Sequence, residues 1–235
     1  ADTVIVRDVL TNLTFTADQL AEVDRLVITD PVLVASVANA TAINALAAAK
    51  PGATTYTLTD QLADFTTPAG ANAAERNAVA ALIRGATTLI VDNDTGDAAL
   101  QSLSVTQFSD LDALTNGAIR SKVAGTVAEL SAANAATAVA SALAAGANGG
   151  VEVTNTAANV VQAATLAARG LPVAALVVTD TAAAIQAAAS TLVTAVNSFV
   201  VSDNGFITGS VALVEKVYAA NATPVSYTHL TLPTT

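Results

Sequence analysis

Short β-branched runs ending in Thr or Ser and then Asp or Asn recur along the chain, each followed by an Ala-rich stretch with larger apolar residues at helical spacing. The copies are Val4-Ile-Val-Arg-Asp8, Leu26-Val-Ile-Thr-Asp30, Tyr56-Thr-Leu-Thr-Asp60, Leu89-Ile-Val-Asp92, Val151-Glu-Val-Thr-Asn155, Leu176-Val-Val-Thr-Asp180 and Val200-Val-Ser-Asp203, with a degenerate copy at Lys122-Val-Ala-Gly125. Val, Ile and Leu in such runs favour extended strands. The runs are nearly unbroken, which predicts burial on both faces. The Thr-Asp-Thr junctions supply short side-chain oxygens suited to helix N-caps. Helices are predicted over Val127–Ala145 (Val127, Leu130, Val139, Leu143), Thr156–Arg169 (Val160, Val161, Leu166) and Thr181–Asn197 (Ile185, Leu192, Val196). Gly or Pro closes several segments, as at Pro51-Gly52, Gly85, Gly146 and Gly170.

The marks at 8, 30, 60, 92, 125, 155, 180 and 203 lie 22 to 33 residues apart, a period typical of stacked repeats. A strand, a helix and the next strand give parallel pairing with right-handed crossovers. The predicted fold is therefore α/β: a repeat solenoid with a parallel β-sheet covered by Ala-rich helices. It forms a single array of seven or eight repeats over residues 1–224. A conventional α/β sandwich with shuffled strand order is the alternative. Residues 61–148 are the least regular, with inserted loops at 66–70 and 92–97.

Composition narrows the function. Of 235 residues 56 are Ala; charged residues make up 12%, about half the usual share. Cys, Met and Trp are absent, which removes disulfides, a Cys nucleophile and Cys-based metal sites. A net charge of −10 argues against nucleic acid, which requires clustered Lys and Arg. The best membrane candidate, 181–202, is interrupted by Gln186, Asn197 and several hydroxyls, so no membrane span is expected. With one His, three Lys and no GxSxG, Walker or GxGxxG motif, a nucleophile–base constellation is hard to assemble, and no enzyme is expected.

The phrases Val-Val-Thr-Asp180-Thr-Ala-Ala-Ala-Ile185 and Val-Thr-Asn155-Thr-Ala-Ala-Asn159-Val160 resemble the Ala-rich strand–helix repeats of large bacterial secreted surface proteins, among them type-I-secreted adhesins and surface-layer-like proteins. The resemblance covers about residues 3–224. It implies an extracellular or cell-surface structural or adhesive role, self-association into a fibre or layer, and frequently calcium. It departs from the calcium-binding β-roll in lacking the Gly-Gly-x-Gly-x-Asp nonapeptide. The chain opens on Ala1 with no basic leader, as a processed protein or an excerpt would. Its end, Ser226-Tyr-Thr-His-Leu-Thr-Leu-Pro-Thr234, resembles a translated sequencing adaptor, so 225–235 is expected to be a non-native tail and His229 carries no function.

Two groups of residues are candidate sites. Asp92, Asp94 and Asp97 surround Gly96 and offer hard oxygens to calcium, although the spacing is not that of an EF-hand loop. The strand-end row of Asp30, Asp60, Asn155, Asp180 and Asp203 reads either as helix caps, each at the N-terminus of its own helix, or as a line of cation ligands. Asp110 and Asp112 read as early-turn acids of a helix capped by Thr106 or Ser109. The inserted loops are the places where a glycan or another surface would be recognised.

Overall fold

The computed structural model describes residues 3–92, 100–144 and 150–220. In chain order the elements are β1 (Ile5–Asp8), α1 (Ala17–Glu22), β2 (Arg25–Ile28), α2 (Val37–Ala49), β3 (Thr54–Thr55), β4 (Thr57–Asp60), α3 (Leu62–Thr66), α4 (Ala73–Gly85), β5 (Thr88–Val91), β6 (Ser102–Leu103), α5 (Val105–Asp112), β7 (Ala118–Arg120), β8 (Lys122–Gly125), α6 (Val127–Ser131), α7 (Ala136–Ala144), β9 (Gly150–Val153), β10 (Ala157–Ala158), α8 (Val160–Ala168), β11 (Val177–Asp180), α9 (Ala182–Gln186), α10 (Ser190–Ala195), β12 (Ser198–Val201) and α11 (Val211–Ala220). Single 3-10 turns occupy Leu10–Asn12 and Ala133–Ala135. The chain divides into two units, 1–124 with 137–152 and 125–136 with 153–235.

The fold is mixed α/β, built on small parallel sheets. The first unit holds three of them, ordered β1-β2-β3, β4-β5-β7 and β6-β8-β9; the second holds β10-β11-β12. Neighbours in each sheet follow chain order, and the pairings β1–β2, β2–β3, β4–β5, β5–β7, β6–β8, β10–β11 and β11–β12 are parallel. Two extended stretches serve two sheets each. Tyr56 alone separates β3 from β4, and Ser121 alone separates β7 from β8. At these two places the chain carries two strand segments where the sequence suggests one.

Buried apolar residues of neighbouring strands are register partners. Leu58, Leu89 and Ile119 stack in one sheet, Leu103 and Val123 in another, Ala158, Val178 and Phe199 in the last. Strands in such a ladder stand about 4.8 Å apart, so the side chains form a continuous file. The opposite face is only partly covered: β2 and β8 alternate exposed, buried, half-buried, buried. The expectation of burial on both faces is therefore corrected. The β-branched residues facing away from the file, such as Val27 and Ile90, remain half-buried.

Helices meet the core through alanine. Ala40, Ala135, Ala138, Ala142 and Ala163 are fully buried or nearly so, while Ile43, Val139 and Leu166 fill the space between. A methyl side chain lets a helix approach its support closely and costs little side-chain entropy. The helices also stack on one another, α2 on α4 in the first unit and α6 on α8 in the second. Two of the long predicted helices are broken. Residues 127–144 form α6, a 3-10 turn and α7; 182–195 form α9 and α10 around an extended Ala189. Alanine makes either segment helical but does not make it continuous. The break places both Ile185 and the Leu192–Val193 pair in the core.

Leu89 is fully buried at the centre of the β4-β5-β7 file. Leu89→Ala is expected to lower unfolding free energy by about 2–5 kcal/mol, read from denaturant midpoints, whereas Val161→Ala, on an exposed helix position, shifts it by less than about 0.5 kcal/mol.

Candidate functional site

The strand-end row is a set of hydrogen-bonded ties between successive strand-to-helix junctions, or rungs, a rung being a strand with the helix or turn that follows it. An α-helix leaves its first N–H groups without intrahelical partners, and so does a parallel ladder where the chain turns out of it. Here one side chain answers both. Asp30 Oδ2 accepts from the Leu10 N–H at 2.7 Å, Asp60 Oδ2 from Ala35 at 2.8 Å, Gln101 Oε1 from Leu62 at 3.2 Å, Asn155 Oδ1 from Val127 at 2.8 Å, Asp180 Oδ2 from Val160 at 3.1 Å, and Asp203 Oδ1 from Ala182 at 3.0 Å. Five of the six donors are the first residue of a helix or 3-10 turn; Ala35 lies just before the N-cap Ser36. The acceptor in each case lies on the following rung.

This corrects the assignment of each Asp to its own helix. The helices are capped by other residues: Thr181 accepts from Ala184 and Ser36 from Asn39. Five more helices carry reciprocal capping boxes, Thr16 with Gln19, Asn72 with Glu75, Ser104 with Gln107, Thr126 with Glu129 and Asn159 with Gln162. The Asp belongs to two rungs at once. Asp60 and Asp180 take the next amide of their own rung on Oδ1, Gln61 at 2.9 Å and Thr181 at 2.8 Å, and a preceding-rung amide on Oδ2. Each such carboxylate faces N–H dipoles, the charge-assisted arrangement that stabilises an anion at a helix start.

The row is not uniformly acidic. Gln101 and Asn155 are neutral, and β8 ends in Gly125, which has no side chain to offer. A Cβ at Gly125 would lie 3.2 Å from Leu130 Cγ, so that position is closed by packing. Among the described residues no three His, Asp or Glu groups gather to hold a metal ion. Of the calcium candidates, Asp92 follows β5 directly, is buried, and its backbone N–H donates to Asp60 O at 3.0 Å. Asp94 and Asp97 lie outside the described residues, as does 221–235 with His229.

The other sequence candidates resolve into local structure. Ser104 caps α5, so Asp110 and Asp112 fall in its last turn, both exposed, and not in its first as expected. In the 66–72 loop, Gly70 has φ +140°, and a Cβ there would lie 2.7 Å from Glu75 Cβ. Arg76 Nη1 donates to Gly70 O at 3.1 Å and the Ala71 N–H to Glu75 Oε2 at 2.7 Å, so this loop closes onto α4. The buried Tyr56 hydroxyl donates to Leu82 O at 2.7 Å, and burial pushes its pKa up to about 12. An open hollow of about 400 Å³ is lined by Val193, Thr194, Asn197, Ala212, Glu215 and Lys216, whose ammonium donates to Val196 O.

Two readable signals are missing from the repeat phrase. One is the S/T/N-x-x-E/Q box, present five times. The other is Gln101, directly before β6, whose side chain accepts the Leu62 N–H as an Asp does elsewhere. Comparison with family models, with curated proteins and with solved structures finds no match to this chain.

Asp180→Ala leaves the Val160 and Thr181 amides without an acceptor and is expected to cost about 1–3 kcal/mol of stability. Asp180→Asn keeps one carbonyl oxygen and is expected to cost less than half as much. Faster hydrogen exchange at the Val160 amide in the Ala variant checks the assignment. A second expectation concerns pH. The Thr126 N–H and hydroxyl, at 2.8 and 2.9 Å, hold the Glu129 carboxyl below its usual pKa. A depressed folded-state pKa adds stability that is present above the unfolded value and lost as pH falls through the folded one. The denaturant-midpoint advantage of the wild type over Glu129→Gln should therefore shrink from about pH 5 to about pH 3.

Proposed function

We propose that this chain is a non-enzymatic structural protein, an α/β solenoid segment of an extracellular self-assembling fibre, surface layer or large adhesin. The observation that carries the reading is the rung-to-rung tie: the helix-leading amide of one rung bonds a strand-end side chain of the following rung, six times. Chain-ordered parallel pairing within each sheet supports the same reading. Elements joined only to their sequence neighbours extend by addition of further copies, which is the property a fibre or layer needs. The strand-end carboxylates of Asp30, Asp60, Asp180 and Asp203 are engaged by main-chain amides. The Ala-, Thr- and Asn-rich exterior suits packing against similar surfaces better than solvation as an isolated particle. Among the described residues no helix is long and apolar enough to cross a membrane. Recognition of a glycan, with or without calcium, is the adhesive variant, and it would fall to the inserted loops.

Two measurements test this reading. The register pairs Val177 with Ser198 and Asp180 with Val201, so removing 177–197 joins Leu176 to Ser198, with Val201 at the place of Asp180 and Asp203 two residues beyond it. A solenoid so shortened keeps a cooperative melt at a lower midpoint; complete loss of folded structure overturns the repeat architecture. Antibodies raised to the purified chain are expected to label intact, unpermeabilised cells of the source organism. Signal only after lysis overturns the extracellular role.

A further inference from the structure

We propose that Asn204 is a site of spontaneous covalent modification: the Gly205 main-chain nitrogen displaces its side-chain amide, and the isoaspartate that results releases the tie between Asp203 and α9. The reaction is an intramolecular acyl transfer followed by hydrolysis, with water as the co-reactant. A bond forms between Gly205 N and Asn204 Cγ while the bond from Cγ to the side-chain nitrogen breaks. The Gly205 N–H proton leaves with that nitrogen as ammonia. Water then opens the five-membered imide. Cleavage between Gly205 N and Cγ gives aspartate at 204. Cleavage between Gly205 N and the main-chain carbonyl carbon of 204 gives isoaspartate, whose main chain runs through Cβ and Cγ and is longer by one atom.

Asparagine is chemically labile, and most so before glycine, whose nitrogen no Cβ shields. Three Asn-Gly pairs occur, at 116–117, 148–149 and 204–205, and the second lies outside the described residues. The main chain must also bring the glycine nitrogen onto the side-chain carbonyl carbon, and here the two described pairs differ. Asn116 and Gly117 are held in place. Asn116 N donates to Arg84 O at 3.4 Å, Gly117 N to Thr115 Oγ1 at 3.0 Å and Ala118 N to Thr87 O at 3.0 Å. A Cβ on Gly117 would lie 2.3 Å from Ala86 O, so the main chain there is pressed against its neighbour. Asn204 and Gly205 lie between β12 and α11, in neither helix nor strand. Asn204 is exposed, and its side-chain amide has no hydrogen-bond partner among the described residues.

The consequence falls on Asp203. Its Oδ1 accepts the Gly205 N–H at 3.2 Å and the helix-leading Ala182 N–H at 3.0 Å. The imide nitrogen carries no hydrogen, so the first of these bonds is lost on ring closure. Isoaspartate then lengthens the main chain beside Gly205, where space is already taken: a Cβ on Gly205 would lie 2.5 Å from Ala182 Cβ. It also sets a second carboxylate next to that of Asp203, and like charges at such separation repel. The tie that fastens the start of α9 to the following rung therefore weakens with age, in one direction and without an enzyme.

The test follows the full chain through weeks in warm, mildly alkaline buffer, where an amide nitrogen gives up its proton more readily. Peptide mapping with enzymatic labelling of isoaspartate reads each Asn separately, and a sample in denaturant supplies the unrestrained rate. The expected result is isoaspartate at 204 in the folded chain, and formation at 116 slower by about tenfold or more, because reaction there waits on local opening. As 204 converts, the Ala182 amide is expected to exchange faster and the melting midpoint to fall. Asn204→Gln, whose ring closure would be six-membered and far slower, is expected to start from the wild-type melt and to keep both readouts constant through the same incubation. Equal rates at 116 and 204 in the folded chain would overturn the assignment. So would the absence of isoaspartate at 204 after the denatured sample has converted. Isoaspartate at 204 with unchanged exchange at Ala182 would overturn the release of the tie.

Discussion

The structure depends on what becomes of the N–H groups where each strand turns into a helix. A parallel strand pair spends its amides on the neighbouring strand, and a helix spends its amides four residues back. The residues between the two have neither partner. A buried amide without an acceptor costs about 1–3 kcal/mol, comparable to the whole gain from burying a side chain of moderate size. The side chain placed at that junction on the next strand removes the cost, and in doing so it fixes register: Leu10 can reach Asp30 only if Asp8 lies beside Ile28. The tie and the ladder specify the same alignment.

That constraint explains the sequence economy. Because alanine supplies most of the helix surface, register cannot come from the shapes of interlocking side chains alone. The specific content is concentrated in the buried large apolar residues of the strands and in the polar acceptors at the junctions. Leu58, Leu89 and Ile119 supply the first; Asp60, Gln101, Asn155 and Asp180 supply the second. Between them, Ala and Thr are tolerated almost anywhere. The low aromatic content follows as well, since closely set helices leave little room for rings; Phe65, Phe108 and Phe199 are fully or almost fully buried where such room exists.

Much of this was legible in the sequence, and the failures have definite causes. The β-branched phrases ending at Asp8, Asp60 and Asp180 end strands at those residues, and Leu89-Ile-Val runs straight into Asp92. The partner of each Asp was not legible. A side chain at or just beyond a strand end is near its own helix in sequence and near the previous helix in space, and only the offset between neighbouring strands decides which amide it meets. The breaks after Ser131 and Gln186 were hidden because alanine favours helix on both sides of a break. The splitting of a strand at Tyr56 or Ser121 leaves no mark in a run of β-formers. The capping boxes are legible in the sequence, as a Gln or Glu three residues after each cap.

The same accounting bears on the acidic balance of the chain. A surplus of carboxylates in a protein with few cations ordinarily means solvated charge or a reservoir for metal or acid–base chemistry. Here Asp8, Asp30, Asp60, Asp180 and Asp203 accept main-chain N–H groups, and Glu75 and Glu129 close capping boxes. Those amide dipoles carry no formal charge, so the net charge stays at −10 although each of these anions is locally stabilised. Lys and Arg are not needed to hold the row together, and like-charge repulsion along it is relieved where Gln101, Gly125 and Asn155 stand in for Asp. These seven of the 19 acidic residues thus serve main-chain amides.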